Sequence, residues 1–251
     1  MSKHDNAIEN IKTIVDNIPA ELRDALLQDM QNHMGTMETP RIIAYQKTRE
    51  ENLLLNEELT NLITDEAYSG AAQRLDSFDE DGNFVYHQEI EIDYRLDFIL
   101  FDFRSRDGKT LVQQQLEQTD ISNTSKHTTL TIYNAAKTSL YGVVAANRLE
   151  YTVTLRNLLN KTEPLVTVTD MGLSRTLKPH HHILFARIMR YPDFNANSGI
   201  AMVFTQRKYD KVYKAFEKRY KKLPGNLSSA EKRFIAFFHV NREFGEPIKT
   251  Q

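Results

Sequence analysis

From Phe84 to Phe103 the chain alternates in steps of two: Ile90, Ile92, Tyr94, Leu96, Phe98 and Leu100 against Glu89, Glu91, Asp93, Arg95 and Asp97. Such alternation predicts a β-strand with one face in a core and one in solvent. Near Ile99 and Phe101 the outer face also turns apolar, so that end is expected to be covered on both sides. Asp107-Gly108 signals a hairpin, with Thr110 to Glu117 as the returning strand. Thr128 to Tyr133 reads as a short strand. Residues 134–147 read as a helix with Ala136, Leu140, Val143 and Val144 on one side. In 148–160, Tyr151, Val153 and Leu155 fit a strand while Leu155, Leu158 and Leu159 fit a helix. Leu165 to Thr169 is expected to be a strand, Lys178 to Tyr191 has no clear period, and Pro192 to Gly199 reads as a loop.

Helical spacing marks both ends of the chain. Ile8, Ile11 and Ile14 predict a helix over 5–17, and Leu22, Ala25, Leu26 and Met30 a second over 20–34. Thr39-Pro40 supplies an N-cap hydroxyl and a proline for the first turn of a third, reaching about residue 64. Near the C-terminus, Arg207 to Leu223 sets Val212, Phe216 and Leu223 on one face, and Ser228 with Glu231 forms a capping box for a last helix to Phe244. The expected fold is α+β: a helical N-terminal part, then an antiparallel sheet packed with C-terminal helices. The expected division is an acidic helical region, 1–76, and a mixed α/β region, 77–251, with basic C-terminal helices.

Charge changes this picture more than composition does. The net charge of −2 conceals a strong asymmetry. Residues 1–100 hold 8 Lys/Arg against 21 Asp/Glu, residues 101–200 hold 12 against 8, and residues 201–251 hold 12 against 5. A basic region of this kind can attract a polyanion, or the two halves can compensate each other. The chain has no cysteine, which excludes disulfides, thiolate zinc sites and cysteine nucleophiles. It shows neither a signal-peptide pattern nor an apolar run long enough to span a bilayer, so a cytoplasmic protein without membrane contact is expected.

Catalytic patterns are sparse. No phosphate-binding glycine loop, nucleophile elbow or zinc-protease motif occurs. Asp79-Glu80-Asp81-Gly82-Asn83 looks like part of a calcium loop. Placing Gly82 at the sixth position, however, puts Ser77 first and Gln88 twelfth, where acids belong, so a polar turn is the reading. His180-His181-His182 stands out. On a strand, His180 and His182 would point the same way and could share a divalent metal. This is similar to the His-hydrophobic-His element of rolling-circle initiators and relaxases, although His181 holds the apolar position. Their tyrosine–lysine spacing is also missing after Tyr209, Tyr213 and Tyr220.

Two features point to DNA. Arg207, Lys208, Lys211, Lys214, Lys218 and Lys222 surround the apolar stripe of the basic helix, which suits phosphate neutralisation. In the 126–147 segment, His127, Thr129, Thr131 and Tyr133 would share one face of a strand that, paired across a dimer, can enter a major groove. Leu130-Thr131-Ile132-Tyr133, Ala136 and Leu140-Tyr141-Gly142 resemble the strand–helix opening of the AcaB-like proteins of conjugative plasmids and integrating conjugative elements, departing from them at Val143. The resemblance covers about 14 residues and implies a regulator of conjugation genes with a ribbon-helix-helix-like unit. It would make Lys126, Thr129, Thr131, Tyr133 and Lys137 the DNA contacts.

The leading expectation is therefore a non-enzymatic, dimeric regulator that binds double-stranded DNA without a cofactor. A metal-dependent single-strand endonuclease or replication initiator built on His180 and His182 is the alternative. A non-catalytic protein-interaction factor using the acidic N-terminal helices is the third.

Overall fold

The computed structural model describes residues 39–81 and 83–246; the helices expected over 5–17 and 20–34 lie outside them. Among the described residues five helices come first: α1 (Pro40–Asn61), α2 (Asp65–Arg74), α3 (Glu91–Phe101), α4 (Leu111–Gln118) and α5 (Thr124–Ala135). Strands β1 (Lys137–Asn147), β2 (Thr152–Asn157) and β3 (Val166–Thr169) follow, then the short helix α6 (Met171–Thr176). Strands β4 (His182–Arg190) and β5 (Asn195–Thr205) precede α7 (Tyr209–Lys222) and α8 (Ser229–Phe244). Among the described residues no helix is long and apolar enough to cross a membrane.

The strands close into a barrel in the order β1-β2-β3-β5-β4. β1, β2 and β3 form an antiparallel meander, and β4 returns through α6 to lie on the other side of β1. That is a Greek-key arrangement. β5 pairs antiparallel with β4 and meets β3 in parallel, which closes the barrel. The closing seam is short, pairing Val168 with Asn195.

Alternation explains both cores. Tyr141, Val143, Val153, Leu155, Val166, Val168, Leu184, Ala186, Ile188, Ala201 and Val203 fill the lumen, with Leu173 and Leu177 of the α6 region packed among them. The intervening residues Leu140, Ile183, Phe185, Ile200, Met202 and Phe204 face outward. They are covered by Phe98 of α3, Val212 and Phe216 of α7, and Phe234 and Phe237 of α8. Phe237 stacks on Phe185 at 4.3 Å and on Phe216 at 4.4 Å, joining barrel, α8 and α7. A third cluster joins Leu55 and Leu59 of α1 to Leu100, Val112, Leu130, Tyr133 and Met189. The first two described helices thus share cores with the rest of the chain.

Several sequence expectations are overturned. The 84–103 segment is not a strand: 91–101 is helix α3. Three of its four charged positions are buried, Glu91 at 2%, Arg95 at 1% and Asp97 at 6% exposed, whereas Asp93 is exposed and Ile92 is 39% exposed. Asp107-Gly108 does not join two strands, because Thr110 instead caps α4 with a complete capping box. The 128–133 strand is part of helix α5, and the 134–147 helix is strand β1. A ribbon-helix-helix-like unit is therefore replaced by a helix leading into a barrel strand. The ambiguous 148–160 segment contains β2, the aperiodic 178–191 segment contains β4, and the expected 192–199 loop already holds the start of β5. The expected strand near 165–169, the helices beginning at Pro40 and Ser229, and the basic helix are found. Where a polar turn was expected, Asp79 Oδ1 accepts the Asp81 and Asn83 amides.

Candidate nucleic-acid interface

α7 presents two faces. Val212 and Phe216 are buried, and Tyr209, Tyr213 and Tyr220 pack beside them in a run of tilted rings. At 100° per residue, Lys211, Lys214, Lys218, Lys221 and Lys222 fall on the opposite face, continuing from Arg207 and Lys208 in the preceding turn. All seven are exposed, and none of them pairs with a carboxylate among the described residues. Arg219, at the edge of this face, pairs with Glu243 at 2.8 Å. The fourteen residues of α7 extend the cationic row over about 20 Å.

The second predicted contact set is dispersed. Lys126 pairs with Glu58 of α1. Tyr133 is 1% exposed and belongs to the core, so it cannot reach a base. Its hydroxyl is buried without a partner, and burial pushes the phenol well above its usual range. On a helix, Thr129 no longer shares a face with Thr131. His127 and Thr131 do, and the Thr131 hydroxyl donates to the His127 carbonyl at 2.8 Å. Thr131 and Lys137 are exposed and both line a cleft at one end of the barrel.

That cleft, of about 550 Å³, opens where β1 begins and β4 ends. Its other walls are the β2–β3 connection and Arg233 of α8. Arg190 and Arg233 line it, and neither they nor the buried Arg187 of β4 was singled out from sequence. Arg187 had a legible signal, being a lone cation inside the apolar run Ile183 to Met189. It is 1% exposed and bonds Asp97 Oδ2 at 2.8 Å and also Asp102, while its guanidinium lies 4.4 Å from the Phe101 ring centre. A β5 bulge faces it: Ala186–Ala201 and Ile188–Asn197 pair, so Ser198, Gly199 and Ile200 oppose Arg187 alone. Ser198 donates to Asp97 Oδ1 at 3.0 Å. Burial raises the Asp102 carboxyl above its usual value although Arg187 pulls it down.

The histidines do not form the pair expected on one strand. His180 sits before β4 in the left-handed region, φ 58°, and His182 begins the strand. His182 Nδ1 accepts the Lys178 amide at 2.9 Å, and its Nε2 lies 3.8 Å from Glu246. Burial holds this imidazole below its usual pKa. Among the described residues no group of three or more histidine and carboxylate side chains is arranged to hold a metal ion.

Residues 39–251 match DUF7986, a family of unknown function. The chain belongs to this family. No curated protein and no solved structure matches it. Its relatives therefore add no function to what the geometry offers.

Proposed function

We propose that this DUF7986 protein binds double-stranded DNA through the phosphate backbone, with the exposed face of α7 as the main contact. The observation that carries the reading is the cationic row Arg207, Lys208, Lys211, Lys214, Lys218, Lys221 and Lys222, exposed and unpaired among the described residues, on a helix anchored by the Phe216–Phe237 stack. Five such lysines meeting phosphates would give a slope of log K against log salt of about −4.5. With Tyr133 in the core and no strand at 128–133, backbone contact is favoured over base reading by that segment.

Fluorescence anisotropy on a labelled duplex, titrated with salt, tests this. Lys211→Glu, Lys214→Glu and Lys218→Glu together are expected to weaken binding at least tenfold for every duplex sequence, and to flatten the slope by about 2.7. The reading fails if no duplex binds at low salt, or if the triple variant binds as well as the parent.

A further inference from the structure

The open end of the barrel carries a second cationic site, distinct in chemistry from α7. Tyr141 and Ile188 belong to the lumen core and also line the cleft, so they are its floor. The Leu173 and Leu177 side chains of the α6 region pack into the same lumen, at the opposite strand ends. Mouths of barrels are a recurrent place for small-molecule sites, and about 550 Å³ lies within their usual size.

Three cations line the cleft: Lys137 at the start of β1, Arg190 at the end of β4 and Arg233 on α8. None of them pairs with a carboxylate among the described residues. Arg233 Nη1 donates to the Thr138 carbonyl at 2.6 Å, which orients the guanidinium and leaves its other N–H groups for a ligand. Among the described residues Glu163 is the only carboxylate in the lining. It is held by amides, accepting from Asn157 Nδ2 at 2.8 Å and Asn160 Nδ2 at 3.2 Å. Asn157 Oδ1 in turn accepts the Ser139 hydroxyl at 2.7 Å, so the acceptor arm is braced from β1. The Thr138 hydroxyl, in a residue 1% exposed that also lines the cleft, is buried with no protein partner. Ile132, Ala136 and Leu159 supply apolar wall.

Lysine and two arginines suit a phosphate, and arginine in particular binds phosphate oxygens through its fork of N–H donors. A fixed carboxylate and side-chain amides on the opposite arm suit hydroxyl or amino donors. We infer that the barrel-mouth cleft binds a small organic phosphomonoester, with its phosphate on Arg190, Arg233 and Lys137 and a hydroxyl- or amine-bearing body directed to Glu163. The Tyr141 phenol of the cleft floor is raised to about 12 by burial and by Glu163, while Arg190 and Arg233 oppose that rise. All three charges thus act on one point of the cleft floor.

Isothermal titration of the full chain tests the inference, with inorganic phosphate, a nucleoside 5′-monophosphate and a hexose phosphate as probes. At least one organic phosphate is expected to bind more tightly than inorganic phosphate. Among the described residues the side chains of Arg190 and Lys137 make no hydrogen bond or ion pair, so Arg190→Gln and Lys137→Gln are each expected to weaken binding about tenfold, with thermal unfolding unchanged. Glu163→Gln should weaken the organic phosphate but not inorganic phosphate. The α7 triple variant should leave phosphate binding intact, so failure here is separable from failure of the DNA reading. The inference is overturned if no probe binds at millimolar concentration, or if Arg190→Gln and Lys137→Gln bind like the parent. It is also overturned if duplex DNA displaces the probe and Arg190→Gln weakens DNA equally, since the cleft would then belong to the DNA surface.

Discussion

Arg187→Met removes the only cation that the structure shows bonded to Asp97 and Asp102, which are 6% and 3% exposed. Methionine fills a similar volume, so the loss is mainly electrostatic. Two buried carboxylates side by side cannot both stay ionised, and one must take up a proton. Holding a carboxyl of ordinary pKa protonated at pH 7 costs about 4 kcal/mol, in line with the ~3–5 kcal/mol seen when one partner of a buried pair is removed. The sign follows from linkage. The variant's native state binds a proton that its unfolded chain has lost above the carboxylate range. The deficit is therefore small below that range and grows by ~1.4 kcal/mol per pH unit as pH rises. Urea unfolding followed by circular dichroism at pH 5, 6, 7 and 8 would measure it. Asp97→Asn with Asp102→Asn in the Arg187→Met background should recover much of the loss. A deficit below ~1 kcal/mol at pH 7, or one that does not change between pH 5 and pH 8, would refute the account.

Other outcomes follow from single contacts. Tyr133→Phe removes a buried, unpartnered hydroxyl, so equilibrium unfolding should show stability unchanged or raised by up to ~1 kcal/mol, and anisotropy should show undiminished DNA binding. Gly199→Ala places a side chain at φ 118° in the β5 bulge and should cost ~1–3 kcal/mol in the same assay, although open space surrounds the position. Ser228→Ala removes the α8 capping box and should cost about 1 kcal/mol. His239 is held below its usual pKa, chiefly by burial and then by Arg242. Its contribution is full above the unfolded imidazole value and is lost as pH falls through it, so His239→Gln should flatten the stability profile between pH 7.5 and 5.5 in thermal melts.

The parts legible from sequence were those whose two faces differ. α7 buries one stripe and exposes another, and the start of α8 is spelled out by the Ser228–Glu231 capping box. The barrel was obscured because it is covered on the outside by helices and filled on the inside, so β4 reads as Ile183-Leu184-Phe185-Ala186 with no polar alternation. Runs apolar on both faces do not separate strand from helix. α3 failed for the opposite reason. Its polar residues were assigned to solvent, yet Glu91 is clamped by Arg242 at 2.8 and 2.9 Å, Asp97 by Arg187, and Arg95 by the rings of Tyr68, Phe84 and Tyr86. Alternation records chemical type, and type predicts exposure only when a charged group lacks an internal partner. The cleft was illegible because its cations come from β1, β4 and α8, 137 to 233 in sequence, and meet only through the β1–β4 pairing and the packing of α8 on β1.

Those internal partners also bear on the charge asymmetry. Self-compensation and an open basic surface were equally compatible with the sequence, and the structure divides the charges between them. Glu58 meets Lys126, Glu66 meets Arg106, Glu91 meets Arg242, and Asp97 meets Arg187. Each joins an acid of the first hundred residues to a cation of the later chain. Compensation is thus real, and much of it is buried where ionic strength reaches poorly. Among the described residues the α7 cations take no part in it, since Arg219 pairs with Glu243 of the same later chain, and Lys137 and Arg190 stand outside it too. Salt can therefore discriminate between the two uses of charge. Raising ionic strength should weaken ligand binding at α7 and at the cleft steeply while moving the unfolding midpoint little. If stability fell in step with binding, the exposed lysines would be holding the fold together, and the DNA proposal would lose its physical basis.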